Sequence, residues 1–335
     1  MRCNVLITAG SRRVPLVRAF QLAVDRYAPG SAVVVADVNP LSPTVYVADR
    51  SYPVPLSTSP DYLDAIERIC RIERIRLVVP TIDDELTLFG TQISRFGGLG
   101  AVVAVSPAET CAVCNDKLET CDRLNAAGVR AARTWLPGDV PADSGFPLFI
   151  KPRGGRGGVG AFPVRTAREL DFFTDYVADP VVQEYLNGPE FTIDVLCDFE
   201  GRPISVVPRE RVVIRAGVVD RGRTVRDSSL IQFGIACARA LPFRGPINIQ
   251  CRVVDGVPIA FEINPRFSGG IPLTIASGAD FPGLLVQLAA GLDLTPAIGV
   301  FEDDLWMTSH ESAVFVPAHG IGFSVDRDAS RERVA

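Results

Sequence analysis

Between Val5 and Val105 short apolar runs alternate with amphipathic stretches, and this alternation limits the possible folds more than any other feature of the 335-residue chain. Strands are predicted over residues 5–8, 32–37, 77–80 and 101–105, with helices over 14–27, 62–72 and 84–96 between them. The strands are unbroken Val-rich runs with no polar alternation, the pattern of strands covered on both faces by helices. A parallel sheet in a compact α/β domain with short connections follows. Residues 107–128 read as one helix ending at Gly128. Strands at 148–151, 161–164 and 181–186, with a helix at 167–177, then make a small α+β unit. After Gly188 and Pro189 the signals become antiparallel, with hairpins at Glu200 and Gly201 and at Asp255 and Gly256, and helices over 229–240 and 283–290. The expected architecture combines α/β and α+β in three parts. These are an N-terminal parallel-sheet domain (1–110), a central unit with a glycine-rich loop (111–187) and a mainly antiparallel C-terminal unit (188–325).

Charge narrows the class of partner. A net charge of -5, with no dense Lys/Arg cluster, lacks the footprint of a nucleic-acid binder. Val5, Leu6 and Ile7 are followed at once by Gly10, Arg12 and Arg13, too short a run for a signal peptide or a membrane span. A cytoplasmic protein with no membrane partner is expected. The eight cysteines fall mostly in apolar runs, as reduced buried thiols do. Cys111, Cys114 and Cys121 lack a nearby histidine to complete a zinc site, since His310 and His319 lie far down the chain.

A dinucleotide site is excluded by the first turn. Residues 9–14 hold a single glycine, Gly10, with Arg12 and Arg13 where backbone would have to approach a pyrophosphate. Gly10 is expected to make the strand-to-helix turn, which is also a candidate for an anionic substrate group at a helix N-terminus.

Of 34 basic residues only Lys117 and Lys151 are lysine. A lysine is a compact point charge that fits between phosphate oxygens, whereas arginine presents a planar fork. Lys151 ends a strand and opens a ten-residue stretch containing Gly154, Gly155, Gly157, Gly158 and Gly160. Such a stretch leaves backbone N–H groups uncovered and able to curl around phosphate. The lysine precedes the glycines and no Gly-Lys-Ser/Thr follows, so this is not a Walker A loop.

A second cluster lies on a predicted hairpin over 248–264. A three-residue loop of Val254, Asp255 and Gly256 places Asn248, Gln250, Arg252, Glu262 and Asn264 on one face. Ile249, Cys251, Val253, Ile259, Phe261 and Ile263 take the other. Asn248 is then expected opposite Glu262, with Gln250 diagonal to it. One carboxylate and two amides suit Mg²⁺, which takes hard oxygen ligands and completes its shell with phosphate and water.

Together these segments resemble the ATP-grasp superfamily over nearly the whole chain. Lys117, after Asn115 and Asp116, resembles its first phosphate-binding lysine. Lys151 resembles the second, with Gly155, Gly157 and Gly158 as loop donors. Glu184, Tyr185 and Leu186 resemble the hinge whose backbone pairs with adenine, and Glu190 the acid that binds the ribose hydroxyls. Residues 187–192 are similar to D-alanine–D-alanine ligases. Gln250, Glu262 and Asn264 resemble the metal-binding set, in a composition closer to carbamoyl phosphate synthetase large subunits. Residues 36–40, 80–86 and 208–211 resemble short stand-alone relatives of that synthetase.

The resemblance implies an ATP-grasp architecture, with ATP and Mg²⁺ as cofactors and small-molecule carboxylate and amine substrates. It also implies an acyl phosphate, with ADP and phosphate released. Arg266 would hold the transferring phosphate or the substrate carboxylate, beside Lys151 and Arg211, with Arg209 and Arg215 as further candidates. The neutral Gln250 implies weaker binding of a second Mg²⁺. The chain has one ATP-grasp half and no Cys–His pair for a glutaminase. Carboxyphosphate or carbamate chemistry is therefore the alternative reading, and nucleotide binding without catalysis a third. The sequence leaves a homodimer open.

Overall fold

The computed structural model of the chain describes residues 2–155, 157–215 and 217–325. Its N-terminal part alternates β1 (Asn4–Thr8), α1 (Val14–Tyr27), β2 (Val33–Asp37), α2 (Thr44–Val47), β3 (Arg50–Pro53) and α3 (Tyr62–Glu73). It continues through β4 (Ile75–Pro80), α4 (Asp83–Thr91), α5 (Ile93–Gly97) and β5 (Val102–Val103). The five strands form an all-parallel sheet in the order β3-β2-β1-β4-β5. All five residues of β2 are buried, as are the last four of β1, which is why these strands read as unbroken apolar runs. Strand order reverses between β1 and β4, so a crevice opens beyond their carboxyl ends, where α/β sheets bind ligands. The sequence reading passed over α2 and β3, which are too short to show periodicity. It also joined α4 and α5, which part at Gln92.

Next come α6 (Ala108–Asn115), α7 (Lys117–Ala126), β6 (Thr134–Trp135), β7 (Leu148–Pro152), β8 (Phe162–Val164), α8 (Ala167–Tyr176) and β9 (Pro180–Glu184). The helix expected over 107–128 is in fact two. Asp116 leaves helical geometry and caps α7, accepting from Leu118 N at 3.0 Å and Glu119 N at 3.1 Å. Lys117 therefore opens a helix instead of lying inside one. The strands here pair antiparallel in the order β6-β9-β7-β8.

The largest sheet gathers β10 (Glu190–Cys197), β11 (Pro203–Arg215), β12 (Val218–Thr224), β13 (Gly245–Val254), β14 (Val257–Asn264) and β15 (Trp306–Thr308), with α9 (Ser228–Ala240) between β12 and β13 in the chain. Its order, β14-β13-β10-β11-β12-β15, is antiparallel throughout. The chain then returns through α10 (Ile271–Ala276) and α11 (Phe281–Ala289) to the N-terminal part. Phe267 meets Phe20 of α1 edge to face at 5.9 Å, and one apolar core runs from Val5 through Phe20 to Ile249 and Phe281. The α/β and α+β composition expected from the sequence is what the structure contains.

The hairpin register differs from the expectation. Val254 pairs with Val257 across a two-residue turn, Asp255 and Gly256, both at positive φ. The register then shifts between Cys251 and Gln250, leaving Phe261 as an extra residue on β14. Gln250 consequently faces Glu262, and Asn248 faces Asn264, whereas Asn248 had been expected opposite Glu262. Phe261 and Ile259 depart from the expected face for a mechanical reason, since the bulge reverses parity part-way along the strand, although Ile259 stays buried in the core. The same bulge keeps Asn248, Gln250, Glu262 and Asn264 on one face.

Candidate functional site

A cavity of about 560 Å³ lies between the small sheet and the large one. Lys151 in β7, Glu190 opening β10, Gln250 on β13, and Phe261 and Glu262 on β14 line it, with Glu184 at the end of β9 and Tyr185 and Leu186 after it. Lys151 is 5 % exposed, and its Nζ donates to Phe261 O at 3.2 Å and sits 5.3 Å from the Phe261 ring centroid. Burial pushes its pKa down to about 8, while the Glu262 carboxylate pulls the other way. Lys117 is 7 % exposed, and burial lowers its pKa against the opposing pull of Glu262, Asp83 and Asp116. Both lysines therefore feel Glu262, although they lie 34 residues apart in the chain.

The glycine loop joins these groups. Lys117 Nζ donates to Gly155 O at 2.9 Å, and Lys117 N donates to Arg153 O at 3.0 Å. Arg153 also pairs with Asp116, Nε to Oδ2 at 2.8 Å. Gly157 and Gly158 line the cavity, whereas Gly155 is held by Lys117. Arg156 of the same loop lies outside the described residues. Across the cavity mouth Gly217, in the β11–β12 turn, comes so close that a Cβ there would lie 2.7 Å from Gly157 Cα. Only glycine permits that approach, at φ +75°.

At the opposite end the Glu184 carboxylate is occupied. It accepts from Arg133 N and Arg133 Nε, each at 2.9 Å, and Glu184 N donates to Arg133 O at 3.0 Å, while Tyr185 and Leu186 beside it line the cavity. Glu190 is held between two arginines, with Arg252 Nη2 at 2.6 Å and Arg211 Nε at 2.9 Å. Arg211 Nη2 donates to Gly217 O at 3.0 Å, tying the β11–β12 turn to this end of the site, and burial lowers the Arg211 pKa.

The proposed metal set is brought together on adjacent strands. Gln250 faces Glu262, and Asn264 Nδ2 donates to Glu262 Oε1 at 2.9 Å. Among the described residues no group of three or more His, Cys, Asp or Glu side chains could hold a metal. A site with one carboxylate fits Mg²⁺ only where phosphate oxygens complete the shell, and Glu262 is close enough to Lys117 and Lys151 to act on both.

Arg266 Nε and Nη2 each donate to Asp83 at 2.9 Å, and Nη2 also donates to Asn264 Oδ1 at 3.0 Å. The fork thus grips the N-terminal part and orients a metal-set amide. Arg13 reaches across similarly, donating to Thr81 O at 2.9 Å and to Phe267 O at 3.1 Å. The turn bearing Asp83 is fixed by the buried Glu85, which accepts from Thr8 Oγ1 at 2.7 Å, Tyr62 OH at 2.5 Å and Thr81 N at 2.9 Å. Burial raises the Glu85 pKa. Asp37 holds the first turn, its Oδ2 accepting from Ser11 N at 2.8 Å. A second pocket of about 290 Å³ lies beside the main cavity, sharing Arg211, Gln250 and Glu262 with it and adding Arg13, Arg209 and Arg266.

Sequence reasoning missed Asp83, Arg13 and Phe261. Asp83 opens an acidic first turn that reads locally as complementing a helix dipole, and its partner lies 183 residues away. All eight cysteines are free and buried, in line with the expectation. No helix among the described residues is long and apolar enough to cross a membrane.

Two family models match the chain: "ATP-grasp in the biosynthetic pathway with Ter operon" over residues 177–312, and "PylC-like, N-terminal domain" over 5–104. The carbamoyl phosphate synthase large chain of Thermoanaerobacter pseudethanolicus is 27 % identical over 212 residues, covering 57 % of this chain. The chain spans only 19 % of that relative's length. Among solved structures, biotin carboxylase from Campylobacter jejuni, in a complex named as β-γ-ATP, has a TM-score of 0.72 at 16 % identity, covering 90 % of this chain and 74 % of the other. L-amino acid ligase from Bacillus licheniformis has a TM-score of 0.65 at 19 % identity, covering 86 % and 74 %. The ATP-grasp resemblance and the kinship with the synthase large chain are borne out, and the fold is that of ATP-grasp carboxylases and ligases.

Proposed function

We propose that the chain is an ATP-dependent carboxylate–amine ligase that works through an acyl phosphate and releases ADP and phosphate. The observation that carries this reading is that Lys151 and Glu262 line one cavity while the Glu262 carboxylate also acts on Lys117, which grips the glycine loop at Gly155. A carboxylate oxygen of the acid attacks the γ-phosphorus, the bond from that phosphorus to the β–γ bridging oxygen breaks, and ADP departs. An amine then attacks the acyl carbon, phosphate leaves with the C–O bond electrons, and the nitrogen loses a proton.

The protein's part is electrostatic. Lys117 and Lys151 neutralise phosphate oxygens from opposite sides of the glycine loop, and Gly155, Gly157 and Gly158 surround them with backbone. The backbone of Glu184, Tyr185 and Leu186 receives the base, and Glu190, poised by Arg211 and Arg252, receives the ribose hydroxyls. Glu262 with the amide oxygens of Gln250 and Asn264 would hold Mg²⁺, which supplies charge neutralisation on the phosphates. Arg266 orients Asn264 and borders the second pocket, and Arg211 borders both cavities.

ADP release is the test, measured over panels of small acids and amines. Turnover that needs both an acid and an amine, with ADP and phosphate as products, is the expected result, and AMP in the mixture would sink the mechanism. Release stimulated by bicarbonate alone would favour carboxyphosphate chemistry, and nucleotide binding without turnover under any pairing a non-catalytic role.

A further inference from the structure

Among the described helices of eight or more residues, α8 is the one that buries no side chain, while each of the others buries several. Its inner side, Leu170 and Phe173, packs on the small core of Leu148, Ile150, Val164 and Val182. Its outer side presents Phe172, 60 % exposed, and Tyr176, 65 % exposed. These two rings stack 5.8 Å apart at 12°. Phe172 meets Phe173 edge-on at 5.2 Å, and Phe173 stacks on Phe162 of β8 at 4.5 Å. Four rings therefore brace one another into a fixed surface. It continues past Pro163 and Arg165 to the exposed Phe146. A contiguous aromatic surface of this kind on a rigid element is a site of association.

Charge decides what covers it. Arg168, Phe172, Asp175 and Tyr176 stand at i, i+4, i+7 and i+8, which puts them on one stripe of α8. Arg168 and Asp175 are exposed and form no ion pair among the described residues. The stripe thus carries a cation at its start, an anion near its end and a ring between them. A uniformly acidic or basic partner would meet a like charge at one end. A second copy running antiparallel, with a two-fold axis at Phe172, sets each Arg168 beside the partner's Asp175 and over the partner's Tyr176. A parallel copy would oppose arginine to arginine.

We propose that α8 is a homodimer interface, packed antiparallel on its own copy about a two-fold axis at Phe172. The two rings and their rim bury less than the roughly 800 Å² per partner of a standard interface, so the dimer is weak, with a dissociation constant on the order of 10 µM. The proposal stands apart from the ligase reading and survives its failure.

Sedimentation equilibrium of the full chain, from about 1 to about 200 µM, tests it. Wild-type protein is expected to pass from monomer to dimer across this range. Phe172→Glu should weaken the dimer about a hundredfold, because the two-fold axis counts the change twice. Arg168→Asp and Asp175→Arg each set like charges opposite one another and should weaken it about tenfold. An equimolar mixture of those two variants should associate with near wild-type affinity, since every opposed pair again joins opposite charges. All three positions are exposed, so the variants should melt close to the monomeric wild type. Wild-type protein that stays monomeric at the highest concentration overturns the proposal, whatever the variants do. So does a dimer that Phe172→Glu leaves intact, or a mixture of the two charge variants that associates no better than either alone.

Discussion

The parallel sheet of residues 4–103 and the β13–β14 hairpin use strands in opposite ways. In the sheet, β1 and β2 bury nearly every side chain and present nothing to the site except the turns that follow them. In the hairpin one strand face carries the candidate site: Gln250, Glu262 and Asn264 project from the ladder itself. The sheet thus acts as a fixed bracket, reaching the chemistry through Arg13 and Asp83, and the hairpin acts as the working surface. Groups on a hydrogen-bonded ladder are placed by the backbone, whereas groups on turns need ties such as Arg266 to Asp83.

Loss of a working-surface charge should hurt far more than loss of a bracket tie. Lys151→Ala is expected to lower turnover a hundredfold or more and to weaken nucleotide binding, as read by steady-state ADP release and calorimetry. Glu262→Gln should produce a rate loss on the order of a hundredfold while leaving metal-free nucleotide binding intact. Full activity in either variant would break the contrast.

The bracket is tested by Asp83→Asn. Freeing the Arg266 fork should let Asn264 turn, with about a tenfold loss of activity and a shift to higher Mg²⁺ requirement, at unchanged metal-free nucleotide affinity. A hundredfold loss would place Asp83 on the working surface instead. Gly217→Ala puts a side chain at positive φ against Gly157. That conformation costs about 1 kcal/mol, so a roughly fivefold rise in the KM for ATP is expected from initial rates.

The smallest effect is a proton. With its pKa at about 8, Lys151 is half deprotonated at pH 8 when no nucleotide is bound. Phosphate beside it should restore the ammonium, so nucleotide binding at pH 8 should take up about half a proton, measured by calorimetry in buffers of differing ionisation enthalpy. The unfolded lysine titrates near ~10.4 and binds more protons than the folded one between that value and 8. The lysine's contribution to stability therefore rises with pH across this window in nucleotide-free protein. Lys151→Met should remove both signals.

What the sequence revealed followed the same division. Helix α1 was legible to both ends, because an amphipathic stretch beside buried Val-rich strands has few alternatives. Lys117 and Lys151 stood out because arginine fills nearly every other basic position. The shared face of Gln250, Glu262 and Asn264 was legible as well, though through the wrong turn: a missed bulge and a loop one residue too long compensated each other. Phe261 went astray for that reason. The roles of Asp83 and Arg13 are set by contacts between distant parts of the chain, which no local periodicity reports.

The ties from Arg13 and Asp83 have a consequence for chimeras. The N-terminal hundred residues look like an exchangeable module, joined to the rest through residues 104–107. An exchange that ignored position 83 would leave Arg266 without the carboxylate that grips its fork, and one that ignored position 13 would leave the carbonyl of Phe267 without its donor. A graft should therefore carry its own acid and arginine at those two positions, and pairs of parents matched there should yield active hybrids more often than pairs matched for overall similarity.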